Sequence, residues 1–235
     1  MAIILNGSNT PTAGGVGYGD GSNLAFTGAG TSGQVLTSAG TGTPTWTTPS
    51  SGAMILISTK TASSSASLEW TGLNGYDKYI IVCSNLVPSG SGAGFYSQVG
   101  TGTGPTYVTS GYGRANLTTT NNGAAPYVSI DNSYPASFFY FIGCGQGIIG
   151  GNTPNVGASC TATFTGMLGN SSNPYCSING YGTYQAFLNG TYTFGNMIES
   201  FSGSCSSSTA KTAIKIYPSS GTITSGTASL YGISS

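Results

Sequence analysis

The sequence predicts an all-β protein: an extended, β-rich N-terminal arm followed by an antiparallel, jelly-roll-like β-sandwich. Three observations carry this. Short runs rich in Val, Ile, Tyr and Thr recur between turn clusters, and such side chains favour a pleated, half-buried surface. Glycine supplies 39 of 235 residues, concentrated where turns need it. Helix signals are nearly absent, since good helix formers are scarce and no 3.6-residue apolar stripe runs beyond a turn. The one segment with a competing helical pattern is Tyr192–Ser202, where Phe194, Ile198 and Phe201 could share a face. Gly195 and the Thr-rich approach favour a strand there.

The chain divides near residue 50. In residues 1–52 the apolar groups form short isolated clusters, Ile3–Leu5, Leu24–Phe26, Val35-Leu36 and Thr45-Trp46, between Gly, Ser, Thr and Asn. None is long enough to close a core alone, so an ordered arm must share burial with a neighbour or with copies of itself. The Pro49-Ser-Ser-Gly52 stretch reads as the hinge.

Residues 53–235 read as one domain of many short strands. They are expected at Ala53–Thr59, Ser67–Trp70, Lys78–Val87, Gly94–Val99, Tyr127–Ile130 and Ser137–Ile142. The series continues at Ala158–Leu168, Tyr184–Leu188, Tyr192–Phe201, Thr212–Tyr217 and Ala228–Ile233. Tyr79-Ile-Ile-Val82, inside the longest apolar run, marks a central strand. Turn clusters such as Pro88–Gly92, Thr120–Gly123 and Asn170–Pro174 separate the strands.

Composition excludes several functions. Charged residues are 4% of the chain, five Lys+Arg against five Asp+Glu, where about a quarter is usual. Five cations neutralise few phosphates, so no nucleic-acid partner is expected. With no histidine, the commonest general base and metal ligand is missing. No run of about 18 apolar residues occurs, so no membrane span is expected. The opening Met1-Ala-Ile-Ile-Leu-Asn-Gly lacks a basic stretch; no secretory signal is expected, and synthesis is placed in the cytoplasm. A neutral, hydroxyl-rich surface has little charge repulsion between copies, which points to life in an assembly.

No motif indicates catalysis, and no catalytic, cofactor or metal residue is assigned. Gly28-Ala-Gly-Thr-Ser-Gly33 has dinucleotide-loop spacing but no following helix, and the next acid is Glu69. Asp20 fits a turn cap better than a calcium ligand. The acids are far apart in sequence; Asp131 and Glu199 are the only candidates for a glycan-cleaving pair. The five cysteines, Cys83, Cys144, Cys160, Cys176 and Cys205, read as buried thiols, with a Cys160–Cys176 bridge as the alternative. Tyr107, Tyr112, Arg114, Tyr127, Tyr181 and Tyr184 lie in or beside Gly/Thr/Asn-rich stretches. Aromatic rings beside hydroxyls and amides suit sugars or protein partners, so these six form the candidate receptor or glycan face. Their alternative role is packing at sandwich edges and between copies.

Two stretches carry a resemblance. Tyr18-Gly-Asp-Gly-Ser-Asn-Leu24, Gly33-Gln-Val-Leu-Thr-Ser38 and Pro44-Thr-Trp46 resemble the N-terminal arms of tailed-bacteriophage appendages. Leu68-Glu-Trp-Thr-Gly-Leu73, Asn85-Leu-Val-Pro88, Ile214-Lys-Ile216 and Ser229-Leu-Tyr-Gly-Ile233 are similar to sandwich domains of phage fibre and head-surface proteins. The resemblance implies a non-enzymatic, surface-exposed virion protein and a homotrimer. Residues 1–52 would attach to other virion proteins, in tail or capsid, with Leu24, Phe26, Val35, Leu36 and Trp46 as anchor residues. Residues 53–235 would form a head binding a host surface receptor or glycan. The chain is short for a long tail fibre, which favours a short fibre. The alternatives are a capsid decoration protein that binds no ligand and, more remotely, a glycan-depolymerising spike.

Overall fold

The computed structural model describes residues 12–49, 54–121, 127–143, 157–169, 175–188, 193–207 and 209–234. The chain forms two compact units, residues 1–52 and 53–235. Among the described residues there is no helix, and every strand pairing is antiparallel. Among these residues no helix is therefore long and apolar enough to cross a membrane.

The first unit contains two small hairpins. Strand β1 (Gly17–Gly19) pairs with β2 (Leu24–Phe26), and β3 (Val35–Ala39) pairs with β4 (Gly42–Thr47). Asp20 caps the first turn: its Oδ1 accepts from Ser22 N at 2.9 Å and Asn23 N at 2.6 Å. Those backbone donors hold the exposed carboxyl below its ordinary range. Gly28–Gly33 lies between β2 and β3, and a Cβ on Gly30 would fall 2.6 Å from the Trp46 ring. The glycine there admits an indole; no helix follows it.

The second unit has two sheets around one apolar core. Its strands are β5 (Met54–Thr61), β6 (Leu68–Thr71), β7 (Lys78–Pro88), β8 (Phe95–Thr101), β9 (Thr106–Tyr107), β10 (Tyr112–Asn121) and β11 (Tyr127–Ala136). They continue as β12 (Phe139–Ile142), β13 (Ala158–Thr165), β14 (Tyr175–Leu188), β15 (Thr193–Ser206), β16 (Ala213–Pro218) and β17 (Ile223–Ile233). The larger sheet runs β11-β10-β15-β14-β13-β7-β17-β5. The smaller runs β12-β8-β16-β6, with β9 added to β8.

Side-chain alternation builds the core. Tyr79, Ile81 and Cys83 on β7, Cys160, Ala162 and Phe164 on β13, and Phe201 on β15 face inward. Phe95 and Val99 on β8 and Ile214 and Ile216 on β16 close it from the smaller sheet, all in one buried cluster. Aromatic rings of β12 cross the gap: Phe139 meets Tyr112 edge-on at 4.6 Å between centroids, and Phe141 lies 5.6 Å from Phe201. Such contacts add to area burial by about 0.5–1.5 kcal/mol each.

The structure pairs the cysteines differently from the Cys160–Cys176 alternative. Cys160 stands opposite Cys83 on β7, and Cys176 opposite Cys205 on β15. All four are buried free thiols; Cys144 lies outside the described residues.

Candidate functional site

Strand alternation that fills the core also decides which residues reach solvent. On the outer face of the larger sheet, β10 presents Gly113, Ala115 and Leu117, while β15 presents Ser200, Ser202 and Ser204. The register sets Ala115 beside Asn132 of β11 and Ser202 of β15, and Ser202 beside Asn179 of β14. A band of amides and hydroxyls therefore crosses four strands. Because Gly113 and Ala115 are small, the surface sinks along β10. The result is an open trough of about 600 Å³ between Tyr134 and Asn132 on one side and Ser202, Ser204 and Asn179 on the other. Tyr134 is 76% exposed, and its ring carbon lies 3.6 Å from where a Gly113 Cβ would stand. A second recess of about 470 Å³ adjoins, lined by Asn179, Tyr181, Ser200, Thr161 and Thr163. Tyr181 is 66% exposed. Asn179 belongs to both hollows.

This face does not match the six residues singled out from sequence. Tyr181 lies on it. Tyr112 does not: its ring is fully buried, its hydroxyl donates to Val108 O at 3.1 Å and accepts from Val99 N at 3.2 Å. Tyr184 is also buried, at 3% exposure. Both belong to the core because they sit at inward positions of β10 and β14. The side chain of Tyr127 lies outside the described residues.

Arg114, also at an inward position of β10, extends to the smaller sheet's edge. Its guanidinium carbon lies 4.2 Å from the ring centroids of both Phe138 and Tyr140. Buried Nε and Nη1 have no hydrogen-bond partner among the described residues. Two cation–π contacts hold it, each worth about 0.5–2 kcal/mol. Phe138 in turn stacks on Tyr96 at 3.9 Å.

Tyr107 serves a different cluster, on the smaller sheet. Its hydroxyl donates to Glu69 Oε2 at 2.8 Å, and Ser67 Oγ donates to Oε1 at 2.7 Å. Lys215 Nζ sits 3.9 Å over the Tyr107 ring, opposite Glu69 in the register. Burial, then the Glu69 hydrogen bond, push the Tyr107 hydroxyl far above its ordinary range. Burial draws Lys215 down, with Glu69 opposing.

The acids offered as a cleaving pair do not share the outer face. Glu199 points inward, fully buried, and accepts from Asn116 Nδ2 at 2.9 Å and Gly143 N at 2.8 Å. Asp131 stands opposite Asn116 in the register, and its side chain lies outside the described residues. A carboxylate held by two buried donors is a structural cross-link between β10, β15 and the end of β12. Glu199→Ala strands both donors, and stability is expected to fall by about 2–4 kcal/mol; urea unfolding measures it. Glu199→Gln, which keeps one acceptor oxygen, recovers part of the loss.

Among the described residues no group of three or more His, Cys, Asp or Glu is placed to hold a metal.

The anchor residues lie on the hairpins of the first unit. Leu24, Val35 and Leu36 are exposed at 41%, 49% and 38%, while Phe26 and Trp46 are half-buried. Trp46 Nε1 donates to Gly28 O at 2.7 Å. The one buried residue described in this unit is Thr27, whose hydroxyl accepts from Val16 N at 3.0 Å.

The trough was missed at sequence level because Tyr134 and Asn179 stand in no motif. The available signal was alternation: serines at 200, 202 and 204 mark a polar outer face of one strand. No protein-family model, no curated protein and no solved structure matches the chain.

Proposed function

We propose that this chain is a non-enzymatic bacteriophage virion protein, a short homotrimeric fibre. Residues 1–52 attach it to the particle, and a jelly-roll-like head, residues 53–235, binds a receptor on the host surface. The observation that carries this reading is that, among the described residues of the first unit, no apolar side chain is buried. Its hairpins leave Val16, Leu24, Val35 and Leu36 in solvent and bury a threonine. Two-stranded ribbons with an open apolar face are marginal alone, so the unit's stable state requires a partner surface.

Two further features support it. Strand β5 is a sheet edge with Met54, Leu56 and Ile57 exposed, a surface suited to a neighbouring copy. The pairing is nested, early strands with late ones: β5 with β17, β6 and β8 with β16, β10 with β15. That order favours a jelly-roll type of head.

The full chain is expected to sediment at about three times its monomer mass. Particles grown with residues 1–48 deleted are expected to lack the head, which accumulates as soluble protein. A monomeric full chain would remove the trimer, and normal incorporation of the truncated chain would remove the anchor.

A further inference from the structure

We infer that the trough on the outer face of the larger sheet binds an uncharged polysaccharide chain. This deepens the receptor-binding reading and rests on it for its biological setting; the chemistry rests on the face itself. Asn132, Asn179, Ser202 and Ser204 are exposed along the trough. Each side chain both donates and accepts hydrogen bonds, as do the hydroxyls of a neutral sugar. The sole ionisable cation among the lining residues is Arg114, and its guanidinium is occupied between Phe138 and Tyr140. No lining carboxylate is present in either hollow. A ligand with a charge at every repeat would find no counter-ion here.

Two exposed phenol rings, Tyr134 and Tyr181, stand at opposite ends of this polar band and offer apolar surface for the C–H face of a pyranose. They lie three strands apart, about 14 Å, and about four residues apart along the strand direction, so the diagonal is roughly 20 Å. That span suits several linked sugars and exceeds a single one. Ala115 and Ser202 lie near this diagonal, and Asn179, shared by the two hollows, stands two residues from Tyr181 on β14.

A second copy of the chain is the competing occupant. Centres of protein interfaces are rich in aromatic residues, Met and Arg and poor in Ser, whereas six of the twelve residues lining the trough are Ser or Asn. The apolar stripe of Leu117, Ile130 and Ile198, exposed on the same face, suits a subunit contact better than the trough does.

Affinity electrophoresis of the full chain tests the inference, with dextran, mannan and amylopectin as neutral probes and alginate and hyaluronan as acidic ones. At least one neutral polymer is expected to retard the protein more strongly than either acidic one. Tyr134→Ala and Asn179→Ala are each expected to weaken binding at least about tenfold, the effect of losing a central contact. Gly113→Ala is the filling variant. A Cβ there meets Ser204 and Tyr134 at 3.6 Å, ordinary contact, so the fold tolerates it while the trough narrows.

Failure of every neutral polymer to retard the chain overturns the inference, as does retardation unchanged from the parent chain in all three variants or stronger retardation by the acidic polymers. A change in sedimenting mass on Tyr134→Ala reassigns the trough to a subunit contact. None of these outcomes affects the anchor, which particle incorporation tests separately.

Discussion

Gly180→Ala is expected to destabilise the head by about 3 kcal/mol, the upper part of the range for overpacking a core. Gly180 sits on the inner face of β14, directly opposite Phe201 of β15. A Cβ there would stand 2.3 Å from Phe201 Cζ and 2.5 Å from the carbonyl oxygen of Thr161. The ring could turn away, but the carbonyl belongs to the adjacent strand and moves only with the sheet. For a unit of this size the loss corresponds to a fall in Tm of roughly 6–12 °C. Neighbouring positions obey the same constraint: a Cβ on Gly203 would meet Phe139 at 2.7 Å, and one on Gly182 would meet Ile142 at 2.7 Å. Gly90→Ala is the control, since nothing lies within 4 Å of its Cβ position, and its Tm is expected to stay within a degree or two. Equal melting of Gly180→Ala and the parent would refute the packing account.

Raising the pH from 8.5 to 11 is expected to lower the protein's stability by about 2 kcal/mol or more. Burial pushes the Cys176 thiol from 9.0 up to about 12, with Lys211 opposing and Cys205 adding. In the unfolded chain that thiol gives up its proton near pH 9; in the fold it keeps it. Between those values the unfolded state binds fewer protons, so stability falls as pH rises, by about 1.4 kcal/mol per pH unit. By pH 11 Cys176 alone removes about 2.7 kcal/mol. Burial raises Tyr217 to about 12 and lifts Tyr79, Tyr107, Tyr112 and Cys205 in the same direction. Lys215, drawn down by burial, works the other way: its folded form loses the proton first, so its contribution improves with pH up to 10.5. One lysine is outweighed by six groups. Urea midpoints from far-UV circular dichroism at pH 8.5 and pH 11 measure the difference, and Cys176→Ala is expected to flatten the curve. Unchanged midpoints would mean that the buried hydroxyls and thiols reach solvent.

The two long strands β14 and β15 show why parts of this fold were hard to read. The sequence placed a strand at Tyr184–Leu188, whereas the strand begins at Tyr175. The intervening Asn179-Gly-Tyr-Gly182 has the composition of a turn. Its glycines serve instead to admit Phe201 from the neighbouring strand β15 and Ile142 from across the core, a need created by side chains distant in sequence. Strand β10 was missed for a related reason. Tyr112–Asn121 carries Gly113 and a run of threonines, a turn-like composition, and becomes a strand because β11 and β15 pair with both its edges. That composition places Tyr112 and Arg114 at the surface, whereas the pairing turns both inward. The segment with a helical pattern, Tyr192–Ser202, is strand from Thr193, held by pairing along its length to β14.

Local chemistry alone determined that this chain is β-built, nearly uncharged and divided near residue 50, because propensity, turn residues and composition act within a few positions. It also located strands at Lys78–Val87 and Thr212–Tyr217, whose Tyr79, Ile81, Ile214 and Ile216 line the core. Only the tertiary structure decided which tyrosines reach solvent. Burial depends on strand register: an even or odd position on β10 or β14 sends a side chain to opposite faces. That register placed Tyr112 and Tyr184 in the core and left Tyr181 outside. With Tyr134 of β11 it also aligned Asn132, Ser202 and Asn179, residues from three separate strands, along one trough.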